Sequence, residues 1–209
     1  QHRRAAQGLD GLAFQRGDMN EDAKQQLERL FAMNPPESQF RTGALVLQGD
    51  VLLKLGQRDA ALKKYRKAVE EAQDSEVIYL AHSHLIEALL KSPPKDAAAS
   101  ESCRAAASQF EERLPEGRTY VFLAESLQGA KLYADVLAYT GPAISSRAVD
   151  PAARAKSVYF DMVANFELKN FKPAAESLSR LAEFVQDKPA DPLAEEVAFW
   201  ACKISQADS

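Results

Sequence analysis

Apolar residues along this chain recur at intervals of three and four. In GDVLLKLGQRDAALKKYRKAVE, residues 49 to 70, Leu52 and Leu55 precede a short polar break, and Leu62 and Tyr65 follow it. Lys63, Lys64, Arg66 and Lys67 stand around Leu62 and Tyr65, so the segment after the break presents one apolar face of a helix. Alternating β-branched runs, which would mark half-buried strands, are nearly absent. Breaks in the helical period fall at Gly17-Asp18, Asn34-Pro35-Pro36, Gly56-Gln57, Gln73-Asp74, Ser92-Pro93-Pro94, Pro115-Glu116-Gly117, Gly129, Gly141-Pro142 and Lys188-Pro189. Periodicity and punctuation together predict helices near 4–16, 20–33, 38–55, 58–72, 75–91, 95–113, 117–128, 131–140, 151–168, 171–186 and 191–206.

The opening stretch also keeps small residues at Gly49, Gly56, Ala61 and Ala68. Two antiparallel helices whose axes come close need small residues at the crossing and large ones in the grooves beside it. The spacing predicts Gly49 opposite Ala61, Ala68 receiving the next helix, and Tyr65 filling the space between. Gly56 is predicted just past its helix, in the left-handed conformation that glycine adopts without steric penalty. The frame recurs 38 residues earlier as Gly11, Phe14, Ala23, Leu27 and Leu30, closed by Pro35. Gly129, Ala134 and Ala138 hold the turn and small positions of a later copy, and another reads Phe166, Asn170, Phe171, Ala174, Leu178 and Leu181. Pro173 falls in the first turn of its helix behind an Asn170 cap, where the missing N–H does no harm.

This pattern resembles the tetratricopeptide repeat, a helix–turn–helix unit of about 34 residues. The resemblance is clearest over 41–74 and next over 4–37. It departs from the family where Leu45 takes the Trp-like position and Gln73 stands in place of the closing Pro. It implies an all-α fold, a right-handed α-solenoid of antiparallel helix pairs, with about five pairs and a C-terminal helix in one domain over 1–209. Two stretches leave the period. SPPKDAAASESCRAAASQF lengthens a turn and gives the following helix an Ala-rich face, and TGPAISSRAVDP, 140–151, is expected to form a loop with a hinge or a change of pitch.

Composition agrees with a helical chain. Ala, Leu, Glu, Lys and Gln, which lose little freedom on entering a helix, dominate, and most of the 9 Gly and 10 Pro lie in the breaks. A net charge of −4 gives no overall field that would attract nucleic acid or an anionic membrane, so no nucleic-acid partner is expected. No apolar run approaches the roughly 18 residues of a membrane span. The chain begins at Gln1 with neither an initiator Met nor a signal peptide, as expected of a processed piece whose targeting segment or anchor lies elsewhere. Its Ala-rich composition and size are compatible with an anchored adaptor of the bacterial periplasm or cell envelope, an analogy that favours that compartment over the cytoplasm. Cys103 and Cys202 are expected to be ordinary buried thiols.

Catalytic chemistry has little to stand on. The stretch AHSHLIE offers His82, His84 and Glu87, but residues two apart on a helix point away from each other, so the two His cannot readily share a metal. His84 and Glu87 share a face and supply two ligands where a stable site needs three or four; both His are expected at the surface or in a groove. There is no Gly-rich phosphate loop, HExxH, CxxC or nucleophile elbow. No catalysis, metal or cofactor is expected. The basic run Lys63, Lys64, Arg66 and Lys67 is followed by Glu70 and Glu71, so Arg66–Glu70 and Lys67–Glu71 pairs on a solvated outer wall are expected.

The tetratricopeptide resemblance implies a concave groove lined by the first helix of each pair, receiving a peptide or a partner helix. Its groove positions fall on Leu12 and Arg16, then Val46, Asp50, Leu53 and Lys54, then Leu80, His84 and Glu87, and finally Tyr159, Val163 and Phe166. Family members that clamp a C-terminal carboxylate use Lys, Asn and Arg there. Val46 stands where that Lys would be and Asp50 where the Asn would be, so the carboxylate clamp is not expected. The expected role is a non-catalytic scaffold or adaptor for a protein or peptide partner. The alternative is a self-assembling component of a larger, envelope-associated complex, forming a homo-oligomer through the helix that carries Phe199, Trp200 and Ile204.

Overall fold

The computed structural model of the protein describes residues 20–33, 38–91, 97–187 and 191–207. Among them are ten α-helices and no strand. They are α1 (Asn20–Ala32), α2 (Ser38–Lys54), α3 (Arg58–Glu71), α4 (Ser75–Leu90), α5 (Ala97–Arg113), α6 (Gly117–Gly129), α7 (Tyr133–Ser145), α8 (Pro151–Glu167), α9 (Phe171–Val185) and α10 (Pro192–Ala207). The chain is therefore all-α. The helix expected over 4–16, which carries Leu12 and Arg16, lies outside the described residues. None of the described helices is long and apolar enough to cross a membrane.

The chain divides into two compact units, 1–114 and 115–209. In the first, each helix from α1 to α5 packs on the next, and α2 also packs directly on α4. In the second, each helix from α6 to α10 packs on the next, and α8 touches both α6 and α10. Consecutive packing combined with these skip-one contacts is what stacked helix pairs produce. The core of the second unit runs through Val158, Met162, Ala174, Leu181, Trp200 and Ile204. One core of the first joins Ala23 and Leu27 of α1 to Ala44 and Val51 of α2.

Three helix-to-helix turns share one conformation. After α2, Gly56 has φ +74°, its N–H donates to the Leu53 carbonyl (3.0 Å), and the Gln57 N–H reaches back to Leu52 (2.8 Å). Lys131 (φ 61°) after α6 repeats this with Gln128 and Leu127, and Lys169 (φ 63°) after α8 repeats it with Phe166 and Asn165. Each is a Schellman ending, which satisfies the last carbonyls of the helix and turns the chain at once into the next. The left-handed position is as expected at Gly56. In α6, however, Gly129 remains helical and Lys131 takes the positive φ, so the turn falls two residues later than the glycine suggested.

Other local expectations are corrected. Asn170 precedes α9, but its side chain makes no cap bond and donates instead to Asn165 Oδ1 (3.4 Å). Pro142 lies inside α7, so the expected loop over 140–151 shortens to 146–150. A proline withholds one N–H from the helical ladder. Here the buried Thr140 and Ala143 and the core-packed Ile144 keep the last turn helical, and the Ser145 hydroxyl donates to the Gly141 and Pro142 carbonyls. Cys103 is buried, whereas Cys202 lies on the exposed face of α10, two residues from the buried Trp200 and Ile204; the two do not form a disulfide.

Gly49 meets Tyr65 rather than Ala61. A Cβ at Gly49 would overlap the Tyr65 ring, which is itself buried. Gly49→Ala should therefore destabilise the first unit by about 1–3 kcal/mol through overpacking. Gly43, whose Cβ would meet nothing within 4 Å, should accept Ala with a gain of about 0.5–1 kcal/mol. Urea unfolding of both variants checks this pair of opposite signs. Lys169→Gly removes a left-handed non-glycine residue and should stabilise by about 1 kcal/mol in the same assay.

Candidate functional site

A polar cluster of the first unit lies where α2, α3 and α4 meet. Asp50 points from α2 and accepts two hydrogen bonds on Oδ1: one from the Tyr65 hydroxyl of α3 (2.6 Å) and one from His84 Nδ1 of α4 (2.9 Å). The Tyr65 and His84 rings lie 6.0 Å apart at 42°. Tyr65 is placed by its stripe, since Ala61, Leu62, Tyr65, Ala68 and Val69 form the buried face of α3. The glycine opposite leaves room for its ring.

Electrostatics bind the three groups together. Burial by itself would raise the Asp50 carboxyl, but the His84 and Tyr65 hydrogen bonds and the charges of His84 and Lys91 outweigh it and hold the carboxyl below its ordinary value. His84 is raised, chiefly by its hydrogen bond to Asp50 and against burial. Burial and the Asp50 hydrogen bond push Tyr65 far up, so its hydroxyl remains a donor. The arrangement is a carboxylate–imidazole pair with a phenolic donor, joining α2 to α4 through Asp50 and His84. Among the described residues, no group of three or more His, Cys, Asp or Glu is placed to hold a metal.

The expected groove residues divide by exposure. On α2 and α4, Leu53 is half-buried, Leu80 is 38% exposed, and Lys54 and Glu87 are exposed. With Asp50 and His84 half-buried among them, these six side chains give the face two apolar anchors and charges of both signs. Val46, by contrast, is only 2% exposed and belongs to the core. In the second unit Val163 is likewise buried, while Tyr159 and Phe166 are half-buried. The Tyr159 hydroxyl donates to Glu196 Oε2 of α10 (3.3 Å), which also accepts from Trp200 Nε1 (3.0 Å). Phe166 packs edge-on against Trp200 at 5.1 Å, and the Lys203 ammonium lies 4.8 Å from the Phe199 and Trp200 rings.

The two histidines behave differently. His84 is in the polar cluster, but His82 is neither at the surface nor in a groove: it is fully buried and stacked on Phe110. A spacing of two on a helix does send them to different faces. Nothing in the sequence marks which face is closed off, because Phe110 comes from a helix 28 positions away. The basic run lies on α3 with Lys63, Arg66 and Lys67 exposed. Lys67 approaches Glu71 at 3.9 Å, and Glu71 also takes a 2.8 Å bond from Arg41 of α2, which the helix-surface spacing could not anticipate. No protein-family model, curated protein or solved structure matches the chain.

Asp50→Ala leaves the Tyr65 hydroxyl and His84 Nδ1 without their acceptor and should cost about 1–3 kcal/mol in chemical unfolding. The pH dependence has a definite sign. The folded-state pKa of His84 is raised, so its stabilisation is complete below about pH 6.5 and lost as pH rises through the folded-state value. That of Asp50 is lowered, so its share is present above about pH 3.9 and lost on acidification. Urea midpoints between pH 5 and 9 should decline on the alkaline side in the parent chain and stay level there in His84→Gln.

Proposed function

We propose that the helix pairs stack as in a right-handed α-solenoid of the tetratricopeptide kind, and that the protein is a non-catalytic scaffold or adaptor. The skip-one contacts of α2 with α4, and of α8 with α6 and α10, support this stacking, as do the three turns of one conformation. Lys131 and Lys169 are 38 positions apart, a longer step than the tetratricopeptide unit of about 34. The helix pairs are thus a variant of that plan.

The observation that carries the functional reading is the α2/α4 face. Leu53 and Leu80 offer apolar contact beside Lys54, Glu87 and the Asp50–His84 pair, and the pair fixes the two helices that present them. Mixed apolar and singly charged positions on a rigid helical face suit an amphipathic partner helix or an apolar peptide. A self-assembling role through α10 has less to rest on, since Trp200 and Ile204 are buried within their own unit and the 53% exposed Phe199 already packs against Trp200 and Lys203.

The test is to select binders from a displayed peptide library and measure them against variants of both walls. Leu80→Glu should weaken a selected peptide by about tenfold or more, a loss of about 1.4 kcal/mol. Lys63→Glu, on the exposed side of α3, should leave its affinity unchanged. Equal affinity for the parent and Leu80→Glu, with circular dichroism showing both folded, would count against this face as the binding surface.

A further inference from the structure

His82 of α4 is fully buried, and neither ring nitrogen has a hydrogen-bond partner among the described residues. A buried polar group left in this way calls for an explanation. Its ring lies parallel to Phe110 of α5, with centroids 4.9 Å apart and planes 8° apart. The charge that bears on it is the Arg113 guanidinium, also from α5. Of the charged groups on α2 and α3, Arg58 of α3 donates to the Ala88 and Leu89 carbonyls, Asp50 of α2 holds His84, and Arg66 and Glu70 of α3 line a cleft with Leu85 and Leu89 of α4. On α4 itself, Glu87 acts on His84 and Tyr65, and Lys91 on Asp50 and His84.

Two attachments of α5 therefore meet beside this one ring. The first is the Phe110 stack on α4. The second is Arg113, which donates to the Val69 and Ala72 carbonyls at the C-terminal end of α3, where unpaired carbonyls favour a cation. Elsewhere α5 and α3 stand apart across a cleft of about 310 Å³, lined by Arg66 and Val69 of α3, Leu85 and Leu89 of α4, and Ala105 and Ala106 of α5.

We propose that His82 is an acid-operated release for α5: protonation of its ring, stacked on Phe110 beside Arg113, loosens α5 from α3 and α4 while α2 and α3 stay folded. A protonated imidazole carries two N–H donors and a full charge into a site where, among the described residues, neither nitrogen has an acceptor. The Phe110 face offsets part of this by cation–π attraction but accepts neither proton. Arg113 adds like-charge repulsion and cannot retreat without leaving the Val69 and Ala72 carbonyls. Burial first, and Arg113 second, push the ring down to about 4. The folded-state value thus lies below the ordinary one of about 6.5, so the released state takes up the proton between these limits and acid favours release.

Cys103, buried on α5, reports the opening. With Cys202→Ser leaving it as the single thiol, its reaction with 4,4′-dithiodipyridine is followed from pH 7.5 to 4.5, each rate divided by that of the urea-unfolded chain at the same pH. Protection should fall about tenfold or more between pH 7 and pH 5, and in the His82→Phe background it should stay level. Unchanged protection in the parent, or the same fall in the variant, overturns the proposal. Should His82→Phe fail to fold, hydrogen exchange of the parent decides: loss of protection in α5 alone supports release, and equal loss across α2, α3 and α5 overturns it.

Discussion

Tyr65 stands where three helices of the first unit converge, and most of what is ordered there depends on how its ring and hydroxyl are housed. The ring needs Gly49 opposite it, because a side chain at that position would occupy the same space. The hydroxyl needs an acceptor, and the half-buried Asp50 supplies it at 2.6 Å. Asp50, desolvated by this packing, in turn needs further donors, and His84 completes the set. A half-buried carboxylate with one donor removed is costly, so the three groups depend on one another. The result is a polar lock within an apolar interior that also fixes the spacing of α2 and α4, the helices bearing the candidate binding face.

The second unit solves the same problem with different residues. Asp161 of α8 takes the hydroxyls of Thr140 from α7 (2.8 Å) and Ser177 from α9 (2.7 Å), and its other contacts come from Asn165 on its own helix. Glu196 of α10 ties down Tyr159 and Trp200. Each acid is half-buried and sits on one of the helices making skip-one contacts. Carboxylates joining neighbouring or alternate helices thus serve both units, without a shared sequence motif.

Local period and punctuation made the helices legible, and Gly56 could be placed because only its kind of turn suits a glycine past a helix end. The αL lysines were not legible. Lys131 and Lys169 are ordinary solvent-facing residues whose positive φ is imposed by the packing of the helices on either side. Pro142 misled for the same reason, its helix being held by Ala143 and Ile144 rather than by its own ladder. Of the candidate site, the helices and the half-exposed positions Asp50, Leu53 and His84 could be read from the repeat frame. The burial of Val46 and Val163 could not, because it depends on the angle at which neighbouring helices cross. The fate of His82 depended on Phe110 from α5, a contact that no local pattern encodes.

The central claim is that the α2/α4 face holds a partner while α3 and α5 form the opposite wall. Amide chemical-shift mapping of the labelled protein titrated with a peptide selected from a displayed library tests it most directly. The account predicts that the largest shifts fall around Asp50, Leu53, Leu80, His84 and Glu87. Shifts gathered instead on Lys63, Arg66 and Glu70 of α3 and on Gln109 of α5 would contradict it.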